Sequence, residues 1–237
     1  VNGLGTTAVI AAYNEERTIG HVLEVLTGHR LIDEVIVVSD GSTDRTVEIA
    51  RSFDVKVIAL RENRGKGFAM KVGVENASHH LLFFADGDMI VTDEHVDTLV
   101  LPVLRGDCEM NIGVRHRGPV LDWFHLKMQF GPVLSGIRVM TREVWDVVPP
   151  QYQERFKIEA ALNCFCSRAG FRQLHTVIHN LGHITKESKR GVAPGLKARW
   201  EMSREVFLLL FELYVFESWR WTPPPGEAPV PEYDLFE

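Results

Sequence analysis

Cysteine is scarce in this chain: Cys108, Cys164 and Cys166 are the only three in 237 residues. An odd count with no second pair at metal-ligand spacing argues against a disulfide framework and for reduced, buried thiols in the cytoplasm. Long apolar runs are missing too. The longest, Val206 to Phe216, is interrupted by Glu212 and falls well short of the roughly 20 residues that cross a bilayer. The stretch Val1 to Thr7 has neither the basic start nor the apolar core of a secretory signal, so no export is expected. Positive charge is not in excess: 26 Lys and Arg against 32 Asp and Glu leave a net charge of -6, and nucleic acid is not an expected partner. Two phosphate-binding signatures are also lacking. There is no G-x-x-x-x-G-K-[ST], which excludes a P-loop, and no G-x-G-x-x-G after the first apolar run, which argues against a dinucleotide enzyme.

What remains is a chain with 45% hydrophobic residues, long enough to bury a full core and better suited to one large domain than to two small ones. Short β-branched runs alternate with segments of helical period, the pattern of an α/β fold whose mostly parallel sheet is flanked by helices. Strands are expected at Thr7–Ala12, Val35–Ser39, Lys56–Leu60, Leu81–Ala85 and Glu109–Val114. Ile19, Val22, Leu23 and Leu26 recur at helical spacing, as do Val96, Leu99, Val100 and Val103 behind the N-cap candidate Thr92.

Beyond residue 114 the pattern loosens. A helix is expected near Leu121–Gln129, a short strand at Ile137–Met140, a helix at Ile158–Ala169 and extended chain at Thr176–Asn180. Lys186–Gly195 carries Gly and Pro without apolar period and reads as a mobile basic loop. A C-terminal helix from about Leu196 to Trp219 follows. Five of the eleven prolines then fall between Pro223 and Pro231, so the domain is expected to span 1–221 and a Pro-rich tail 222–237.

Polar residues gather where the expected strands end. The first runs into Tyr13-Asn14-Glu15-Glu16, the second into Asp40-Gly41-Ser42-Thr43-Asp44, the third into Asn63-Arg64-Gly65-Lys66-Gly67 and the fourth into Asp86-Gly87-Asp88. Ligands of open parallel sheets bind beyond these carboxyl ends. If strand four lies beside strand one, Asp40 and the Asp86/Asp88 pair flank one crevice. Asp86 and Asp88 offer hard oxygen ligands suited to Mg²⁺ or Mn²⁺, with Gly87 leaving room between them. Asp40 is suited to a nucleobase or ribose, with Tyr13 and Glu15 on the other side. Gly65 and Lys66 offer amides and a cation to phosphate at a helix start. The plain alternatives are an Asp/Gly turn for Asp86–Asp88 and helix capping by Asp40, Ser42 or Thr43, with Ser42 the favoured cap.

These motifs together resemble family-2 glycosyltransferases with the GT-A fold, in particular the polyprenol-phosphate sugar transferase and glucosyl-phosphoglycerate synthase branches. AAYNEE, VVSDGSTD, NRGKGFAMKVG and DGD stand where that family has its ordered motifs, over about Thr7 to Gly170. The resemblance implies that Ala11, Tyr13, Glu15, Asp40 and Lys66 hold the nucleotide, with Gly65, Asp86 and Gly87 beside it, and that Asp88 binds the metal with Asp86 nearby. GVRHR, LSGIRVMTREVW and FKIEAAL nominate Arg115, Arg138 and Glu159. Ala11 replaces the usual Pro and Ser39 the first Asp of a D-D pair. Ile90 stands where lipid-phosphate members carry a Gln ligand, so His183 becomes the candidate third metal ligand, with His179 its rival.

The implied reaction is inverting transfer of a sugar from a nucleoside diphosphate sugar to a lipid-phosphate or small hydroxyl acceptor. A metal, Arg138, Arg115 and the loop residues Lys189 and Arg190 would offset the charge on the leaving diphosphate, and Glu159 would serve as base toward a hydroxyl. Trp200, Trp219 and Trp221 bracket the apolar stretch of the last helix. That suits either the cytoplasmic surface of a membrane, where a polyprenyl phosphate would be met, or a core or homodimer contact. A non-catalytic nucleotide-sugar binding protein and, further off, a sugar-phosphate nucleotidyltransferase are the rival readings.

Overall fold

The computed structural model describes residues 5–116, 135–153, 157–179 and 182–183. The expected helix near Leu121–Gln129, the loop with Lys189 and Arg190, the helix from Leu196 and the tail 222–237 lie outside the described residues, so the expected domain boundary at 221 does as well. In chain order the elements are β1 (Thr6–Ala12), α1 (Ile19–Gly28), β2 (Glu34–Ser39), α2 (Thr46–Ala50), β3 (Lys56–Ala59), α3 (Lys66–Glu75), β4 (Leu81–Asp86), β5 (Met89–Ile90), α4 (Asp93–Leu104), β6 (Met110–Arg115), β7 (Arg138–Thr141), α5 (Arg142–Asp146), α6 (Lys157–Arg168), β8 (Gln173–Ile178) and β9 (Gly182–His183).

Seven strands form one sheet in the order β3-β2-β1-β4-β7-β6-β8. β7 runs antiparallel to both β4 and β6, and the other pairings are parallel, so β7 alone opposes the common direction. Both faces are covered, and the strands alternate between two cores. Ala8, Ile10, Leu81, Phe83 and Ala85 pack with α1 and α4 on one side. Val9, Leu82 and Phe84 pack with α3, α5 and α6 on the other. This double burial explains the unbroken apolar runs from which the strands were read.

Local chemistry sets the element ends. Thr92 adopts extended backbone and its side chain accepts the His95 amide, so it caps α4 as expected. Arg142 donates to the carbonyls of Val74, Ala77 and His79 at 3.2, 2.9 and 3.1 Å. A cation thus closes the carboxyl end of α3, where the helix dipole favours it. β8 begins earlier than the expected extended stretch, because it is an edge strand whose side chains are mostly half exposed and leave no apolar run to read. The two-residue ladder of β5 with β9 had no sequence signal, being too short for any period. All three cysteines are buried and form no disulfide. Burial pushes the Cys108 thiol up to about 11 and the Cys166 thiol up to about 12.

Candidate active site

The chain leaves β1 toward β2 on one side and returns to β4 on the other, which makes the carboxyl end of β1 a topological switch point. Two consecutive carbonyls of β1 anchor the flanking loops. Ala12 O accepts the Asp40 amide at 2.8 Å, and Ala11 O accepts the Gly87 amide at 3.3 Å. Asp40 and the Asp86-Gly87-Asp88 turn therefore stand on either side of one strand end, about 10 Å apart at two strand spacings, as the crevice expectation required.

On the β2 side the loops are laced together by side chains. Asp40 is 4% exposed, and its two oxygens accept the Arg64 and Gly65 amides at 2.7 and 2.8 Å. It thereby ties the β3–α3 turn to the end of β2. Gly65 sits at φ +93°, a conformation that favours glycine, and this positive φ lets its amide turn back to Asp40 just before α3 begins. Asn14, at φ 55°, accepts the Thr43 amide at 2.8 Å and donates its own amide to Ser42 Oγ at 3.1 Å. Thr46 Oγ1 accepts the Glu15 amide at 2.7 Å and donates to Asp44 Oδ1.

One expectation is corrected here. Ser42, the favoured helix cap, serves the β1 loop instead, and Asp44 accepts the Thr46 amide at 3.0 Å where α2 begins. Asp44 stands two residues before Thr46, the ordinary reach of an Asx turn, whereas Ser42 is turned toward Asn14. Asn14 and Asp44 stood out in the sequence only as members of polar strand ends, with no role of their own, and Thr46 did not stand out at all. An Asn between β1 and a helix start is the one signal that could have found the left-handed position.

On the β4 side the charged groups meet. Lys66 Nζ, at the start of α3, lies 2.6 Å from Asp86 Oδ1 and 2.5 Å from Glu159 Oε1 on the first turn of α6. All three side chains are mostly buried, at 16%, 26% and 12% exposure. Burial lowers the affinity of Lys66 for its proton, but Asp86 and Glu159 outweigh it and hold the ammonium well above its ordinary value. Burial pushes the Asp86 carboxyl up; Lys66 opposes this, while Glu159 and Asp88 add to it. Asp86, Glu159 and the neighbouring Asp88 set three negative charges against the Lys66 ammonium and the buried Arg138 guanidinium, and this donor set fits a divalent cation. Among the described residues no group of three or more His, Cys, Asp or Glu side chains forms a metal site. A Mg²⁺-type site built from one or two carboxylates and completed by substrate phosphates does not need one. The backbone of His183 pairs with Met89, the residue after Asp88.

The remaining expected residues fall as follows. Glu15 is 7% exposed, and its side chain lies against Gly87 and accepts the Thr18 hydroxyl at 3.2 Å. Tyr13 is 38% exposed at the mouth of the crevice. Ala11 lies opposite Asp86 in the sheet. Arg115 ends β6, exposed and paired in register with Ile178. His179, at the end of β8, presents its ring to His116 with centroids 4.4 Å apart. Arg138 was expected on the diphosphate, yet it is 1% exposed. It donates to Ser135 O at 2.9 Å, Asn163 Oδ1 at 3.0 Å and Glu159 O at 3.4 Å. β7 lies between two other strands, so its inward guanidinium must satisfy its donors with nearby carbonyls. An open cavity of about 310 Å³ at the amino ends of β2 and β3, lined by Thr27, Glu34, Asp54 and Lys56 among others, lies at the opposite end of the sheet from these groups.

Comparison with known proteins agrees with this fold. The model of the family described as glycosyl transferase family 2 matches residues 7–175. A 4,4'-diaponeurosporenoate glycosyltransferase from Staphylococcus aureus is 34% identical over 105 residues, 42% of this chain. That match spans only 28% of the relative's length. Glucosyl-3-phosphoglycerate synthase from Mycobacterium tuberculosis, solved with Mn²⁺, uridine-diphosphate-glucose and phosphoglyceric acid, superposes with a TM-score of 0.72 at 25% identity, covering 89% of this chain and 80% of that one. The same enzyme with Mg²⁺ and uridine diphosphate gives 0.72 at 25% identity, with 89% and 79% covered.

Proposed function

The chain belongs to glycosyl transferase family 2, and on that premise we propose that it transfers a sugar from a nucleoside diphosphate sugar to a hydroxyl acceptor, with a divalent cation and inversion at the anomeric carbon. The observation that carries this reading is the buried cluster of Asp86, Lys66 and Glu159 beside Asp88, at the carboxyl end of β4 next to β1. Asp40, Tyr13, Glu15, Ala11 and Gly65 flank the nucleotide half of the crevice. Asp86 and Asp88 would hold Mn²⁺ or Mg²⁺, with His183 as the further ligand candidate, and when bound the cation would offset charge on the departing diphosphate.

Glu159 acts as the base, taking the proton of the acceptor hydroxyl as it attacks, with Lys66 and the Arg138-bound turn of α6 holding it in place. Arg115, Lys189 and Arg190 are proposed to face the diphosphate and any phosphate on the acceptor. A carboxylate at the reacting end favours a hydroxyl, which has a proton to give up as it attacks, over a polyprenyl phosphate, whose attacking oxygen is already ionised and needs no base. The neighbour is solved with phosphoglyceric acid, an anion that also bears a hydroxyl, which supports the choice of a hydroxyl as the attacking group.

The test is a thermal-shift panel of UDP-, GDP-, dTDP- and CDP-sugars with Mn²⁺. One nucleotide should stabilise the protein only when metal is present, and Asp40→Ala should lose the shift. Sugar release or transfer by wild type but not by Asp88→Ala separates the enzyme from a non-catalytic binding protein; equal turnover by both would remove the role of Asp88, and no turnover by wild type would remove the catalytic reading.

A further inference from the structure

The His95 ring is 6% exposed, on the first turn of α4. Its Nε2 lies 3.0 Å from the backbone carbonyl of His179, and its Nδ1 is buried with no hydrogen-bond partner among the described residues. A carbonyl oxygen only accepts, so Nε2 carries the proton at this contact. Nothing in the proposed chemistry uses this side chain, and a buried ring with one orphaned nitrogen calls for a compensating role.

We propose that His95 is a positioning residue for the cation site, acting through the return of the chain from β8 to β9. The argument is a closed circuit of chain and contacts. Asp88 leads directly into β5, and Val91 and Thr92 lead from β5 into α4, which Val96, Leu99, Val100 and Val103 seat on the sheet. From that helix His95 grips the carbonyl of His179, one residue beyond the last β6–β8 pair. Residues 182 and 183 then pair back onto Ile90 and Met89. Three residue steps separate 179 from 182, a reach of at most about 11 Å, so holding the carbonyl at 179 confines β9 beside Asp88. A two-residue ladder is marginal alone, and the His95 bond supplies its second attachment. This inference rests on the proposed cation site, and it adds a residue outside it.

Three variants test it: His95→Leu removes the donor, His95→Gln keeps an N–H near the Nε2 position, and His95→Asn is polar but too short to reach. Mn²⁺ binding in the presence of UDP is measured by titration calorimetry, and backbone hydrogen exchange over 179–183 is followed without ligand. His95→Leu and His95→Asn should weaken Mn²⁺ about tenfold or more, the usual scale for a lost supporting contact, and speed exchange in that segment. His95→Gln should stay close to wild type in both. Equal Mn²⁺ affinity and equal exchange across wild type, Gln and Asn would overturn the proposal. If His95→Leu does not fold, the Gln and Asn pair decides. If wild type binds neither UDP nor Mn²⁺, the functional reading fails, and hydrogen exchange alone still judges the role of His95.

Discussion

Lys66 Nζ and Glu159 Oε1 stand 2.5 Å apart although 93 positions separate the two residues. The bond joins the start of α3 to the first turn of α6, and through Asp86 it reaches the end of β4. One ammonium thus bridges the side of the crevice proposed for the donor and the side proposed for the acceptor.

Replacing that ammonium exposes the charge imbalance. Lys66→Met removes the ammonium that Asp86 and Glu159 share, while the buried Arg138 charge still acts on both, and at pH 7 it should cost about 3 kcal/mol, the scale for breaking a buried pair. The sign with pH follows from the carboxylates. Asp86, pushed up by burial, Glu159 and Asp88, would bind its proton more tightly in the folded variant than in the unfolded chain, where Asp titrates near 3.8, so the stability of the variant falls as pH rises above that value. Lys66 itself, held above 10.5 when folded, contributes constantly below that pH. Urea unfolding of both proteins from about pH 4 to 8 should show a gap that widens upward; a constant gap would contradict the charge argument.

Gly136 lies directly against the Asp86 carboxylate, and a Cβ there would overlap Asp86 Oδ2. Gly136→Ala should therefore displace Asp86 and reduce Mn²⁺-dependent donor binding about tenfold or more, while the rest of the fold persists. A circular dichroism melt alongside a binding titration separates the two effects, and unchanged binding in a folded variant counts against Asp86 as a ligand.

At the opposite end of the sheet, burial pushes the Glu34 carboxyl up, but bonds from the Ser78 amide, the Thr7 hydroxyl and the Ser78 hydroxyl, with His79 nearby, hold it below its ordinary 4.5. A depressed carboxyl stabilises the fold above its unfolded value, and that stability is lost as pH falls through the folded value. Glu34→Gln should lower stability by about 1 kcal/mol at pH 7, discounted for partial exposure. The difference from wild type should close by about pH 3; denaturant midpoints at the two pH values measure it.

No helix among the described residues is long and apolar enough to cross a membrane. Peripheral attachment through the apolar stretch Val206–Phe216 and its flanking tryptophans remains a proposal, as does a homodimer through the same stretch. Co-sedimentation with anionic liposomes should fall when residues 196–237 are removed. Equal sedimentation of both forms rejects the membrane surface, and a change in mass by light scattering on truncation identifies the dimer contact.

The positions of β1, β2, β4 and β6, the two amphipathic helices and the polar strand ends were legible in the sequence, because strands buried on both faces must be apolar throughout and ligand loops must not be. The Thr92 cap and the Asp86-Gly87-Asp88 turn could be read from spacing alone, since both depend on a few contiguous residues. Only the tertiary structure decided what each polar group does. Asp40 binds the amides of the next loop, Arg138 turns inward to carbonyls, and Lys66 joins two carboxylates far away in sequence. His95 reaches a carbonyl 84 positions distant. Period and local propensity register which face of an element is buried; which polar partner a buried group finds depends on strand order, and that is settled only when the whole sheet closes its core.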